Sequence, residues 1–379
     1  MILNYNLKRC ETLPRLEVKN LSRSFGKLCV VDRISFKINS GQVTCLLGPS
    51  GCGKSTSLRM IAGVEKPSSG QIFVDNELIS DQHYQVPAEA RSIGLMFQDF
   101  ALFPHLNVQQ NVCFGLAGAK EYQKERSQAL LEKVGLSHLA LQYPHSLSGG
   151  EQQRVALIRA LAPQPKIMLM DEPFSGLDDR LRDEIRDETF QLLKLEDTAV
   201  LMVTHDPQEA MKVADEIALM RNGKILQKGA PYNIYNTPVD QKALQFFSDA
   251  NAIQAILKGS LAETPFGQFF APGLSDGSKI DIVFRPQHVR IDFDRNGKGP
   301  SPTVAQGVAA RGVVKRARFI GNESLVEFDM DFGGTIKASV PNVFLPNLGL
   351  PLWLTIKPAV NPLRTGAQSA IAQCVHGHK

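Results

Sequence analysis

No run of 18 or more apolar residues occurs in the sequence, so nothing in it is expected to span a membrane as a helix. Paired cysteine spacing is also missing. The six cysteines, at 10, 29, 45, 52, 113 and 374, match neither a zinc site nor a redox pair. Cys45 and Cys52 lie in a strand and in the glycine loop after it, where a disulfide would be awkward, so reduced thiols of a cytoplasmic protein are expected. Charge of one sign is scarce: 42 Lys and Arg against 38 Asp and Glu leave a net charge of +4. That balance gives no case for a nucleic-acid partner. Met1–Pro14 lacks the apolar core of a secretory signal and reads as a flexible lead-in. A role at a membrane would therefore need partner chains. What the sequence does hold is ordinary globular material, 43% hydrophobic and 21% charged, in 379 residues. That length suits more than one domain.

The first portion is organised around Gly48-Pro-Ser-Gly-Cys-Gly-Lys-Ser-Thr56, a G-x-x-x-x-G-K-S loop. A β-type run, Gln42–Leu47, enters it and a helical run, Ser57–Ala62, leaves it, which is the context a phosphate-binding P-loop requires. Its glycines let successive N–H groups turn inward at phosphate oxygens, and the following helix adds its positive dipole end. Across Gly48, Pro49, Ser50, Gly51, Cys52, Gly53, Lys54, Ser55 and Thr56, Lys54 would reach the β- and γ-phosphates of a nucleotide and Ser55 would ligate Mg²⁺.

Downstream, Lys166–Met170 is a buried-type strand that ends in Asp171 and Glu172. An apolar strand ending in Asp after a P-loop fits a Walker B element: Asp171 would hold Mg²⁺ and Glu172 would polarise the attacking water. Ala199–Val203 is a second buried strand, and it leads to Thr204-His205-Asp206. His205 suits either a γ-phosphate contact or a structural role. Gln98 ends the strand Ser92–Phe97, where its amide is either a Mg²⁺ or water ligand or a surface group. Phe25, before a glycine turn, is either a base-stacking face or core. The apolar stretch Phe100–Pro104 suits a partner-facing patch. Leu147-Ser-Gly-Gly-Glu-Gln-Gln-Arg154 places an N-cap serine, Ser148, before Gly149 and Gly150, a second anion site apart from the P-loop. A cap alone explains the serine but leaves the two glycines unexplained.

Two hairpins are expected, around Asp75-Asn76 and around Asn222-Gly223. Glu121–Val134 and Leu181–Leu195 read as charged helices, and Pro231–Phe247 as a helical close to the first domain. From about Asn251 short strands and turns take over, suggesting a small β-barrel or sandwich. Lys315–Arg318 reads as a solvated basic face, 295–302 as a loop, and Cys374–His378 as a tail rather than a metal site.

Taken together, these motifs resemble the ATP-binding subunit of ABC transporters over essentially the whole chain, the Leu147–Arg154 signature most specifically. The β-rich end is similar to the TOBE-like accessory domain of importer ATPases, with Phe284-Arg-Pro-Gln-His-Val289 close to that domain's Arg-Pro-Glu-His segment and Gln287 departing from its Glu. The resemblance implies an α/β P-loop NTPase cassette, a mixed sheet with an antiparallel β subdomain and a helical subdomain, followed by a small all-β OB/TOBE-like domain. Expected divisions are 1–14 lead-in, 15–248 cassette, 249–360 β domain and 361–379 tail. It further implies that Phe25 stacks on adenine, that Gln98 couples the site to a permease and joins Ser55 and Asp171 at Mg²⁺, and that His205 contacts the γ-phosphate. Ser148, Gly149 and Gly150 would bind the γ-phosphate held by a second copy of the chain, with Ser175 and Asp178 at that contact. The implied setting is a head-to-tail homodimer on membrane permease subunits at the cytoplasmic face of a bacterial inner membrane. A periplasmic solute-binding protein is implied as an indirect partner. Gln98–His105, Asn107–Asn111 and Pro173–Glu188 look most like the spermidine, sugar and ferric-iron import group, ferric-iron members above all.

Overall fold

The computed structural model describes residues 13–175, 177, 179–293, 298–300 and 308–356, with the backbone of short strands at 363–364, 369–371 and 373–374. Gly176, Asp178, most of the 295–302 loop and the His376 and His378 end of the tail lie outside the described residues. Contacts divide the chain into two compact units, 1–231 and 232–379.

The first unit begins with β1 (Leu16–Phe25) and β2 (Leu28–Ile38), then β3 (Val43–Leu47), the P-loop and α1 (Lys54–Ala62). β4 (Ser69–Val74) and β5 (Glu77–Ser80) form the expected hairpin, with left-handed backbone at Asp75 and Asn76. These strands make an antiparallel sheet ordered β2-β1-β4-β5. On β2 the alternation of Ile34, Phe36 and Ile38 turns one face into the core, as a half-solvated antiparallel strand requires.

The chain continues through β6 (Ile93–Met96), α2 (Val108–Cys113), α3 (Lys120–Lys133), α4 (Gly149–Leu161), β7 (Ile167–Asp171), α5 (Asp179–Leu195), β8 (Ala199–Thr204), α6 (Pro207–Val213), β9 (Glu216–Arg221) and β10 (Lys224–Gly229). A second sheet runs β10-β9-β3-β8-β7-β6. All its pairings are parallel except β10 on β9, whose hairpin turns at Asn222 and Gly223. Every residue of β8 is buried, and so are Thr44–Leu47 of β3. Strands covered on both faces read as continuous apolar runs, which is why the sequence shows them without alternation. β3 lies between β8 and β9, so β6, β7, β8 and the P-loop strand all present their C-terminal ends on one side. Ligands of open parallel sheets bind on that side.

α2, α3 and α4 pack together. Asn111, fully buried, hydrogen-bonds the carbonyls of Phe103, Leu106 and Asn107 and accepts the Phe103 N–H. Arg159 of α4 donates to the carbonyls of Phe100 and Ala101. The stretch after Gln98 is thus a held loop.

The second unit starts with α7 (Pro231–Asn236) and α8 (Gln241–Phe247). The sequence reading assigns this segment to the cassette, whereas its contacts group it with the second unit. The reason is Arg285, which is buried. It donates to the Tyr235 carbonyl (2.6 Å) and Ser248 Oγ (2.8 Å) and lies over the Tyr235 ring. β11 (Asn251–Lys258), β12 (Leu261–Thr264), β13 (Gly267–Phe270) and β14 (Lys279–Phe284) form one sheet with the short terminal strands. β15 (Val289–Phe293), β16 (Ala310–Phe319), β17 (Glu323–Met330), β18 (Thr335–Pro341) and β19 (Pro351–Ile356) form another, ordered β15-β19-β16-β17-β18. Both sheets share one core that includes Phe266, Ile282, Phe328 and Leu354. No helix among the described residues is long and apolar enough to cross a membrane.

Candidate nucleotide site

The P-loop closes on itself through its own lysine. Lys54 is 5% exposed, and its Nζ donates to the carbonyls of Gly48 (2.8 Å) and Pro49 (3.0 Å). Its ammonium therefore lies over the loop, where phosphate charge would be met. Two glycines are obligatory. A Cβ on Gly48 would stand 2.1 Å from the Met220 carbonyl oxygen. On Gly53, at φ 103°, it would stand 2.5 Å from that of Val30. The loop is thus wedged between β9 and β2. Cys29, Cys45, Cys52 and Cys113 are free thiols. Burial pushes the Cys52 thiol up, even with Lys54 Nζ 3.9 Å from its sulfur.

The first residue of α1 after Lys54 faces β7. Ser55 Oγ donates to Asp171 Oδ1 at 2.9 Å. Burial raises the Asp171 carboxyl above its ordinary range, and the neighbouring Glu172 adds to the shift. A hydroxyl and a half-buried carboxylate whose charge is not fully compensated form an oxygen donor set suited to a hard divalent cation. The residues present therefore fit Mg²⁺.

Glu172 has φ 46°, a left-handed backbone that a non-glycine residue adopts only when its surroundings hold it there. Its N–H bonds the Val203 carbonyl (2.9 Å), and its own carbonyl accepts from Ser175 Oγ (3.0 Å). This turn swings the side chain toward the end of β8. There Glu172 Oε1 lies 2.9 Å from His205 Nδ1. The imidazole is about half exposed, while the glutamate is mostly covered.

The other expected residues take no part in these contacts. Phe25 ends β1, 47% exposed, with the Arg23 guanidinium 4.5 Å from its ring centre and Arg23 paired to Glu65. That leaves an exposed aromatic surface, consistent with stacking and unlike core. Gln98 lies beyond β6, exposed, and its side chain makes no hydrogen bond among the described residues. No hydrogen bond joins it to Ser55 or Asp171. Ser148 caps α4 in a reciprocal box: Glu151 Oε2 accepts the Ser148 N–H (2.8 Å), and the Glu151 N–H donates to Ser148 Oγ. The two following glycines have different surroundings. A Cβ at Gly150 would stand 2.7 Å from Ile185 Cδ1 of α5, the tip of a side chain that would have to shift, whereas a Cβ at Gly149 would meet nothing within 4 Å.

Sequence reasoning missed the left-handed turn at Glu172 and the groups behind His205. Thr204 donates to the buried carboxylate of Glu209, and Asp206 caps α6. The only hint was Asp206-Pro-Gln-Glu209, which reads as a plain helix start.

The ABC transporter family profile matches residues 31–175, and the TOBE domain profile matches 282–361. The chain is 38% identical over 348 residues to the putrescine transport ATP-binding protein PotG of Escherichia coli, covering 90% of this chain and 91% of that protein. The chain belongs to the ATP-binding proteins of ABC transporters. As a member of that family it is an ATPase, with a P-loop cassette followed by a TOBE domain. Another relative in the family is the Fe(3+) ions import ATP-binding protein FbpC of Pseudomonas fluorescens, 40% identical over 86% of this chain and 90% of its own length. Among solved ABC cassettes, MJ1267 in its ADP conformation superposes with a TM-score of 0.55 at 27% identity, covering 62% of this chain and 99% of that one. A dimeric post-hydrolysis structure of the cassette MJ0796, bound to ADP and Pi, gives 0.51 at 29% identity, covering 57% and 98%.

Proposed function

We propose that this ATPase powers import of ferric iron across a bacterial inner membrane, as a peripheral subunit on its cytoplasmic face. One observation carries the hydrolytic reading: the Ser55–Asp171 and Glu172–His205 contacts stand together at the C-terminal ends of adjacent strands, beside the lysine of the P-loop. Gly48–Thr56 binds the phosphates of ATP, with Lys54 exchanging its loop carbonyls for phosphate oxygens. Ser55 and Asp171 would hold Mg²⁺, which when bound would supply neutralisation of phosphate charge. Glu172 orients the attacking water and accepts its proton. His205 fixes the glutamate and meets the γ-phosphate, and Phe25 stacks on the adenine. Gln98, whose side chain is unbonded among the described residues, is available as a further Mg²⁺ ligand and as a link toward a permease.

The signature completes the site from a second copy. Gly149 leaves the N-terminal amides of α4 open to approach, and Ser148 stands at the same end, with Ser175 and Asp178 assigned to the dimer contact. The dimeric form of the MJ0796 cassette supports this arrangement. Two ATP molecules would join the copies, and their hydrolysis would remove the joining charge. Permease subunits and a periplasmic binding protein complete the assembly, which includes no nucleic acid.

Ferric iron is favoured because relatives in Pseudomonas fluorescens and Haemophilus influenzae are named Fe(3+) importers. The PotG relative favours a polyamine as the second reading. Glu172→Gln is expected to lower hydrolysis by about 100-fold while ATP binding persists; a normal turnover rate would remove Glu172 from the mechanism. Cells lacking the chain are expected to lose ferric uptake and keep putrescine uptake, and the opposite pattern would assign the polyamine.

A further inference from the structure

Behind His205 lies a carboxylate that the mechanism does not use. Glu209 stands at the third position of α6, where a glutamate usually reaches back to accept the N–H of the cap residue. Glu151 does this for Ser148 at the start of α4. Glu209 does not. The Asp206 N–H goes instead to Thr204 Oγ1, at 3.0 Å, and Asp206 Oδ1 takes the Gln208 N–H at 2.8 Å. Helix capping is therefore complete without the Glu209 side chain.

The Glu209 side chain turns inward, 7% exposed, and its Oε2 accepts the Thr204 hydroxyl. That hydroxyl uses both of its capacities, donating to Glu209 and accepting from Asp206. It thus ties together the residues on either side of His205. A cavity of about 140 Å³ places Glu209, Thr204, His205 and Glu172 around one space. Burial raises the Glu209 carboxyl against the lowering effect of the Thr204 hydrogen bond, and the nearby Asp206 charge adds to the rise. Arg182 and Arg186 of α5 act in the opposite direction. A carboxylate kept buried against this cost, and not needed for the cap, has a use in what it holds.

We propose that Glu209 is a positioning residue for ATP hydrolysis: through the Thr204 hydroxyl it holds the backbone on both sides of His205, so that the imidazole stays on Glu172. This rests on the reading of Glu172 and His205 as the hydrolytic pair. An imidazole free to rotate away would leave Glu172 unoriented without altering the P-loop. The loss then falls more on kcat than on the affinity for ATP, most of whose phosphate contacts the intact P-loop still makes.

The test is steady-state Mg-ATP hydrolysis by the full-length chain. Thr204→Val keeps the shape and removes the hydroxyl. It is expected to lower kcat by about 10-fold or more with KM within about twofold, because small displacements of a reacting group cost that much. Thr204→Ser is expected to restore the rate. Placed on His205→Ala, Thr204→Val is expected to change the residual rate by less than about twofold, since effects acting through one residue do not add. Glu209→Gln, which keeps an accepting oxygen, is expected to stay within about threefold of wild type, and Glu209→Met to behave as Thr204→Val. This second pair carries the test if Thr204→Val fails to fold by circular dichroism. An unchanged kcat in Thr204→Val or Glu209→Met, beside a strongly slowed His205→Ala, would overturn the positioning role alone. A wild-type rate in His205→Ala would overturn the hydrolytic pair and the positioning role with it.

Discussion

At the scale of residues, the site holds groups that oppose the stability of the free chain. Asp171 is the clearest. Its folded-state carboxyl is raised by burial, so ionisation costs more in the folded chain than in the unfolded one. The penalty is therefore full above the folded pKa and disappears as pH falls below the ordinary carboxylate value. Asp171→Asn, which keeps an oxygen for Ser55, is expected to raise the Tm of the nucleotide-free chain at neutral pH. That gain should vanish in acid, and Mg²⁺-dependent hydrolysis should be lost; thermal melts across pH, paired with an ATPase assay, check both. Lys54, Ser55 and Asp171 were legible as residues because each chemistry needs one residue type at one spacing. The left-handed backbone of Glu172 was not, since its cause is the Val203 carbonyl and the Ser175 hydroxyl around it.

At the scale of elements, α4 shows how one motif serves two ends. A Cβ at Gly150 would press on the tip of Ile185 from α5, while one at Gly149 would meet nothing within 4 Å. Glycine in the middle of a helix is destabilising by about 0.5–1 kcal/mol against alanine, and the proposed contact with a second copy is a use for the open position at 149. Gly149→Ala is therefore expected to raise the Tm of the isolated chain slightly and to weaken its ATP-driven dimer. Sedimentation of a Glu172→Gln background with ATP reads the second effect; unchanged dimerisation would detach the signature from the interface. Element types were readable from dense charge in the helices, from continuous apolar runs in the buried parallel strands and from turn residues in both hairpins. β11, β12 and β13 escaped individual notice: they are short and joined by brief turns, and their role comes from a sheet that residues far along the chain complete.

At the scale of the whole molecule, the chain divides into its two compact units between 231 and 232. The apolar composition of 231–247 suggested the end of a cassette, but Arg285 and the Leu244–Val283 contact tie it to the second unit. A fragment ending at 231 is expected to be better behaved than one ending at 248. The longer fragment keeps Leu244 and loses the β14 residue that covers it. Binding of an apolar dye, stronger for the longer fragment, checks this; equal binding would place the helices with the cassette.

The chemistry can be read along the chain: a phosphate loop, acids at a strand end, a histidine after another strand and a signature far downstream. These are local patterns, each dictated by what a strand end or helix start must carry. How they combine is a matter of folding. Parallel pairing of β3, β7 and β8 puts residues more than a hundred positions apart, such as Ser55 and Asp171, within one hydrogen bond. The same packing buries Glu209 behind His205 and leaves Gly149 open. Register and burial join distant parts of a chain, and no local spacing records them.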